Sequence, residues 1–113
     1  MTAYELVMAY HHAWTSGDLD TAMGYLAEDF VCHAPSGEIT GREAYRASLG
    51  DFAARLTGIQ EIAQLSDPDH VVLLYYPQTE SFTTAPAVEY FIIRDGKIAE
   101  TLLVFDRLSV NGE

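Results

Sequence analysis

The chain has 113 residues, of which 49% are hydrophobic and 20% are charged, a composition typical of one globular domain large enough to bury a core. Six basic against 17 acidic residues give a formal net charge of −11. This charge disfavours nucleic acids and anionic membrane surfaces, which both require clusters of Lys or Arg, and it favours a neutral or apolar small molecule as partner.

The first ten residues, MTAYELVMAY, lack the basic segment and cleavage site of a secretory signal. No apolar run approaches the roughly 20 residues that a membrane span requires. The single cysteine, Cys32, excludes an internal disulfide bond and fits a reducing compartment. We therefore expect a cytoplasmic protein.

A capping box opens the chain. In the pattern Thr2-x-x-Glu5 the threonine can bond first-turn amides while the glutamate reaches back, which predicts a helix ending at Ser16-Gly17. Asp18 can cap a second helix with one apolar face. That face would comprise Leu19, Ala22, Met23 and Leu26.

A short strand and a third helix follow. The strand is predicted at residues 30–33, and the turn-forming residues 34–37 stop it. A second capping box, Thr40-x-x-Glu43, predicts a helix that ends at Gly58. Its apolar stripe would comprise Tyr45, Leu49, Phe52 and Leu56.

The second half of the chain is predicted to be β structure. Strands are expected at residues 59–65, 70–76, 88–93 and 97–105. Asp67-Pro-Asp69 predicts a turn, residues 77–81 predict a loop, and Asp95-Gly96 is a strong hairpin signal. A two-residue turn there sets Phe91 opposite Glu100. In that register Glu89, Phe91, Glu100 and Asp106 share one face of the hairpin, unless a bulge intervenes.

These elements predict an α+β domain, with three N-terminal helices packed on one face of a curved antiparallel sheet. Residues 71–76, Val-Val-Leu-Leu-Tyr-Tyr, are apolar on both sides of their strand. The outer face of the sheet is therefore expected to meet another subunit, and we predict a homodimer formed through this face.

Three segments, AYHHAWTSGDLDTAMGYLAEDF, GREAYRASL and DGKIAETLLVFDRL, occur in an order that resembles the SnoaL-like branch of the nuclear transport factor 2-like superfamily. The resemblance covers nearly the whole chain and implies a single domain over residues 1–113. It also implies a cone-shaped fold whose sheet and helices enclose an apolar pocket with a few polar groups. The activity stays open, because this fold hosts isomerases, cyclases, epoxide hydrolases, dehydratases and plain binders.

Two chemistries of this superfamily fit the sequence poorly. Ketosteroid isomerases combine a helix-one tyrosine, matched by Tyr10, with an acid whose position is occupied here by Ala34. The base is therefore absent unless the adjacent His33 has taken its place. Their second acid belongs on the strand that leads to the hairpin turn, where Glu89 is the only carboxylate. Limonene-type epoxide hydrolases need an Arg-x-Asp motif, which residues 70–76 lack.

Of the chemistries considered, that of SnoaL-like polyketide cyclases needs the fewest residues, since one carboxylate in an apolar pocket carries it. The resemblance implies that Asp106, at the end of the last strand, is a general acid/base, and that His33 and Tyr10 help to polarise a carbonyl. Desolvation would raise the pKa of the Asp106 carboxyl toward the working pH. The reaction would be a cofactor-free isomerisation, cyclisation or lyase step on a compact apolar ketone-like substrate. The ligand-binding residues would be Trp14, Tyr45, Phe52, Tyr75 and Tyr90.

Plainer roles remain open for the same residues. Asp106 can pair with Arg107 or Arg94, His33 can be a structural strand residue, and Tyr10 can belong to the core. The alternative function is accordingly a non-catalytic ligand-binding or structural dimer of the same fold.

No metal site is expected. His11 and His12 are adjacent on the predicted first helix and point about 100° apart, so they cannot chelate one ion together.

Overall fold

The computed structural model describes residues 1–106 of the chain. The helices in this range are Ala3–Thr15 (α1), Leu19–Met23 (α2) and Arg42–Arg55 (α3). The strands are Leu26–Ala34 (β1), Gly37–Thr40 (β2), Leu56–Ser66 (β3), His70–Thr79 (β4), Ala87–Arg94 (β5) and Lys97–Phe105 (β6). The predicted α+β class with a curved sheet is confirmed. Within residues 1–106, no helix is long and apolar enough to cross a membrane.

The six strands form one sheet in the order β2-β1-β6-β5-β4-β3. Neighbouring strands are antiparallel except β1 and β6, which run parallel. A parallel pair needs a long connection, and α3 together with β3, β4 and β5 supplies it. The prediction of a fully antiparallel sheet is corrected at this pair. The helices are also not contiguous, because β1 and β2 separate α3 from α2.

The start of α1 forms as the sequence predicts. The Thr2 hydroxyl oxygen accepts a hydrogen bond from the Glu5 amide at 3.1 Å, and the Glu5 carboxylate accepts one from the Thr2 amide at 2.9 Å. Gly17 follows the helix with φ +88°, a left-handed conformation that favours glycine. The capping box therefore fixes where α1 begins.

Helix α3 differs from its prediction at both ends. Gly41 precedes it without a side-chain cap, so the Thr40-x-x-Glu43 box does not form. The helix ends at Arg55 rather than Gly58, since Leu56 already pairs with Thr79 in the β3–β4 ladder. Nonlocal strand pairing overrides the helical pattern here.

Two further boundaries are corrected for the same reason. Leu26, predicted on the second helix, begins β1, where it pairs with Ile98. Pro77, predicted in a loop, continues β4 and faces Ile59 of the edge strand β3.

The β5–β6 hairpin closes at Asp95-Gly96 as predicted, and both residues have positive φ. Ile93 pairs with Ile98, whereas Ile92 pairs with Glu100. Ala99 is thus an extra residue on β6, which is a β-bulge. Every pair beyond the bulge is shifted by one position from the predicted register.

The bulge decides which side chains of the hairpin face the helices. Phe91 pairs with Thr101 rather than Glu100, and Glu89 pairs with Leu103. Because side chains alternate along a strand, Asp106 falls on the opposite side from Glu89. The predicted common face of Glu89 and Asp106 is therefore corrected.

The outer face of the sheet, away from the helices, carries many apolar side chains beside polar ones such as His33 and Glu100. Along residues 71–76 the side chains alternate between buried and half-buried, and the half-buried ones are Val72, Leu74 and Tyr76. On β6, Leu102 and Val104 are 46% and 52% exposed. Neighbouring exposed apolar side chains of this kind often mark an interaction site.

Candidate active site

A cavity of about 290 Å³ lies between α3 and the helix-facing side of the sheet. Its volume is close to the lower end of the range for ligand pockets, about 300 to 1,000 Å³, so a compact ligand fits it best. Its apolar and aromatic lining includes Trp14, Cys32, Ile39, Tyr45, Leu49, Phe52, Tyr75, Ala87, Leu103 and Phe105. Its polar lining comprises Ser36, Ser48, Asp51, Arg55 and Glu89.

Glu89 is the acid buried in this cavity, with only 3% of its surface exposed. It lies in the middle of β5, between Ala87 and Phe91 on the same inward-facing side. The Tyr75 hydroxyl donates a hydrogen bond to its carboxylate. Burial raises the pKa of Glu89 to about 7, although the Tyr75 hydrogen bond acts in the opposite direction, and the Glu61 charge raises it further. Glu89 can therefore hold or release a proton near neutral pH.

Two more tyrosines lie beside the acid. The hydroxyl oxygens of Tyr10 on α1 and Tyr45 on α3 are 2.6 Å apart, and both side chains are buried. Burial, and then neighbouring charges that include Glu89, raises the pKa of both phenols well above the ordinary value. Both hydroxyls consequently keep their protons and can act as hydrogen-bond donors.

His11 packs against the ring of Tyr75. The two rings meet edge to face with centroids 4.9 Å apart, and His11 Nε2 lies 2.9 Å from a Glu61 carboxylate oxygen. Burial lowers the pKa of His11 and outweighs Glu61, which acts to raise it. The imidazole is therefore neutral near pH 7, and its contact with Glu61 is a hydrogen bond rather than an ion pair. His11 Nδ1 and Trp14 Nε1 are buried without a hydrogen-bond partner in the described part of the chain.

The structure brings together most of the predicted ligand-binding residues. Trp14, Tyr45, Phe52 and Tyr75 line the cavity. Tyr10 is buried beside Tyr45, with which it shares the hydrogen bond described above.

The structure does not bring the other predicted site residues to the cavity. Asp106 is exposed and does not line it, because of the bulge at Ala99. His33 is 40% exposed on the outer face, where its Nε2 lies 3.0 Å from a Glu100 carboxylate oxygen. Tyr90 also lies on the outer face, stacked on His70. Arg107, considered above as a partner of Asp106, lies outside the described residues.

Glu89 was not among the predicted catalytic residues. The sequence did contain a signal, because Glu89 is the one carboxylate in the apolar segment AVEYFII. A strand of this composition is mostly buried, so its acid is a candidate for a buried carboxyl group. The ketosteroid isomerase pattern also placed the second acid on this strand. The resemblance to SnoaL-like polyketide cyclases, however, implied Asp106 as the acid/base.

Comparison with known proteins identifies relatives over nearly the whole chain. Residues 7–101 match the model of the SnoaL-like domain. A crystal structure from Kribbella flavida DSM 17836 has 37% sequence identity and a TM-score of 0.93, with 98% of this chain and 92% of that chain covered. No curated protein matches.

Two more distant structures share the fold. An NTF2-like protein of unknown function from Cytophaga hutchinsonii ATCC 33406 has 20% identity and a TM-score of 0.84, covering 98% of this chain and 96% of that chain. TerC, co-crystallised with polyporic acid, has 18% identity and a TM-score of 0.80, covering 96% and 95%.

Proposed function

Since this chain belongs to the SnoaL-like branch of the nuclear transport factor 2-like superfamily, we propose that it is a cofactor-free acid–base enzyme acting on a compact, largely apolar carbonyl compound. The reaction is an isomerisation, cyclisation or lyase step that moves one proton. The observation that carries the proposal is Glu89, a buried carboxyl with a pKa of about 7 in an apolar cavity. TerC, which shares the fold, was co-crystallised with an organic ligand, polyporic acid.

In the proposed mechanism, the Glu89 carboxylate removes a proton from the carbon next to the substrate carbonyl. The electron pair of the broken C–H bond moves toward the carbonyl oxygen and forms an enolate. Protonated Glu89 then returns the proton to another carbon. Alternatively, the enolate carbon adds to a second carbonyl carbon of the same molecule, whose C=O π bond breaks, and the oxygen of that group takes the proton from Glu89. A pKa near 7 makes both protonation states of Glu89 accessible at neutral pH.

The enolate oxygen needs a hydrogen-bond donor, and Tyr45 provides it. When Tyr10 donates to the Tyr45 oxygen, the Tyr45 proton is left for the substrate. A buried donor aimed at a developing oxyanion stabilises the transition state more than the same donor in water. Tyr10 acts here as a positioning residue, because its own hydroxyl contacts Tyr45.

The proposal predicts exchange of ketone α-protons with solvent. The protein is incubated in D2O with 1-indanone, 1-tetralone or cyclohexanone, and the loss of the α-proton signal is followed by NMR. We expect exchange faster than in matched buffer, with a rate that rises with pH around a midpoint of about 7, because the Glu89 carboxylate is the base. If no ketone exchanges faster than in buffer, the enzyme proposal fails and the non-catalytic ligand-binding alternative replaces it.

We also propose that the protein is a homodimer through the outer face of the sheet. Leu102→Lys combined with Val104→Lys should convert dimer to monomer, because a dimer interface would have to desolvate both charges. Light scattering coupled to gel filtration measures the mass. Tyr4→Lys is the control, since Tyr4 is an exposed apolar residue on α1. A wild-type monomer, or a double variant that remains dimeric, would contradict the proposal.

A further inference from the structure

Arg55 differs from the other basic side chains of the described residues. Arg42, Arg46 and Arg94 each lie within ion-pair distance of a carboxylate, and Lys97 donates to the Gly24 carbonyl at 2.6 Å. Within residues 1–106, Arg55 is the one Lys or Arg side chain with neither a hydrogen bond nor an ion pair. This is unexpected in a chain with 17 acidic residues.

Arg55 instead contacts an aromatic ring. Its guanidinium carbon lies 5.6 Å from the centroid of the Phe52 ring, a cation–π contact one turn apart on α3. That contact leaves the in-plane N–H donors of the guanidinium unused. Arginine presents these donors as a planar fork that matches a carboxylate or a similar pair of oxygens.

The position of Arg55 relates it to the cavity. Arg55 and Phe52 both line the cavity, and Arg55 is exposed at its mouth whereas Glu89 is buried inside. The Trp14 ring packs next to the Phe52 ring, and their centroids are 6.1 Å apart. One wall of the cavity is thus a row of a guanidinium and two aromatic rings that begins at the mouth.

We infer that the substrate is a flat, conjugated carbonyl compound with an anionic group, which binds Arg55 at the mouth while its rings pack along Phe52 and Trp14. This inference rests on the proposed function, because it places the reacting carbonyl at Glu89. Like-charge repulsion from the Glu89 carboxylate and the apolar lining both oppose entry of the anionic end. Arg55 therefore determines specificity and also fixes which end of the substrate reaches the acid.

Asp51 should affect the binding of an anion in the opposite direction to Arg55. It lies one turn before Arg55 on α3, lines the same cavity and makes no ion pair with Arg55 in the described structure. Its carboxylate opposes an anionic ligand that Arg55 attracts. Removing the charge of Arg55 should therefore weaken the binding of an anion, and removing the charge of Asp51 should strengthen it.

The experiment compares 2-naphthoate with 2-naphthamide, which have the same rings and differ in charge. Titration calorimetry at low ionic strength should give a Kd for naphthoate about tenfold below that for naphthamide, as one charge-assisted contact provides. Arg55→Gln should remove this preference by weakening naphthoate alone. Asp51→Asn should strengthen naphthoate alone. Arg46→Gln makes the same charge change at an arginine paired with Asp20 outside the cavity, and should leave both affinities unchanged.

The inference is overturned if wild type binds neither probe, if it does not prefer naphthoate, or if Arg55→Gln and Arg46→Gln affect the preference equally. The ketone exchange assay uses neutral substrates and does not need Arg55. Exchange with no Arg55-dependent preference therefore removes only this inference. An Arg55-dependent preference without exchange removes only the proposed chemistry and leaves the anion site.

Discussion

Glu89→Gln should slow the exchange of ketone α-protons by about 100-fold to 10,000-fold, the usual contribution of a general base. Glutamine has nearly the same shape as glutamate and still offers an oxygen to the Tyr75 hydroxyl, but it cannot accept the substrate proton. The effect is measured by NMR in D2O at about pH 8, where Glu89 with a pKa of about 7 is mostly ionised. The affinity for naphthamide, measured in parallel, should change little because the cavity keeps its shape.

Asp106→Asn is the matched control for this loss. It removes a carboxylate that is exposed and does not line the cavity, so we expect exchange close to the wild-type rate. Loss of exchange in Asp106→Asn with retention in Glu89→Gln would assign the base to Asp106 and contradict the proposed mechanism. Circular dichroism and the naphthamide affinity separate a chemical loss from misfolding.

Glu89 should also make the protein less stable as the pH rises. The Glu89 carboxyl has a pKa of about 7 in the folded protein, against 4.5 for an ordinary glutamate. Between these values the folded state binds more protons than the unfolded chain, so the free energy of unfolding falls with increasing pH. The penalty is absent below the lower value and complete above the higher one, where it reaches about 3 kcal/mol.

Urea unfolding of wild type and Glu89→Gln at about pH 4 and about pH 8, at one protein concentration, isolates this effect. The stability of Glu89→Gln relative to wild type should be about 3 kcal/mol higher at the upper pH than at the lower. His11, whose pKa is lowered by burial, costs stability as the pH falls below 6.5, but it does so in both proteins and cancels. An equal difference at both pH values would show that Glu89 is not desolvated.

Local chemistry explains which parts of the fold could be predicted from the sequence. The Thr2 capping box and the Asp95-Gly96 turn depend on residues a few positions apart, so their patterns are sufficient. The Ala99 bulge depends on distant contacts: the adjacent Ile98 amide donates to the Tyr25 carbonyl at 2.9 Å. Alanine at this position carries no local signal of a bulge.

The same limit applies to the site. The aromatic wall residues Trp14, Tyr45 and Phe52 were predictable because they lie on helix faces whose periodicity shows in the sequence. The family resemblance favoured Asp106 over Glu89, and the expected hairpin register, which placed both acids on one face, could not separate them; the bulge at Ala99 does. His33 was misplaced because strand alternation does not show which face meets the helices.

The bulge at Ala99 also has an evolutionary consequence. Loss of that one codon would remove the unpaired residue and leave the ladder as it is, because Ile93 would still pair with Ile98 and Ile92 with Glu100. Leu103 and Phe105 would then still face the cavity, and Leu102 and Val104 would still lie on the outer face. The bulge is thus a place where a lineage on this scaffold can gain or lose one codon while the wall of its cavity and the position of its acid are retained. A one-codon change elsewhere in the β5–β6 ladder would either create a new bulge or exchange the side chains of the two faces.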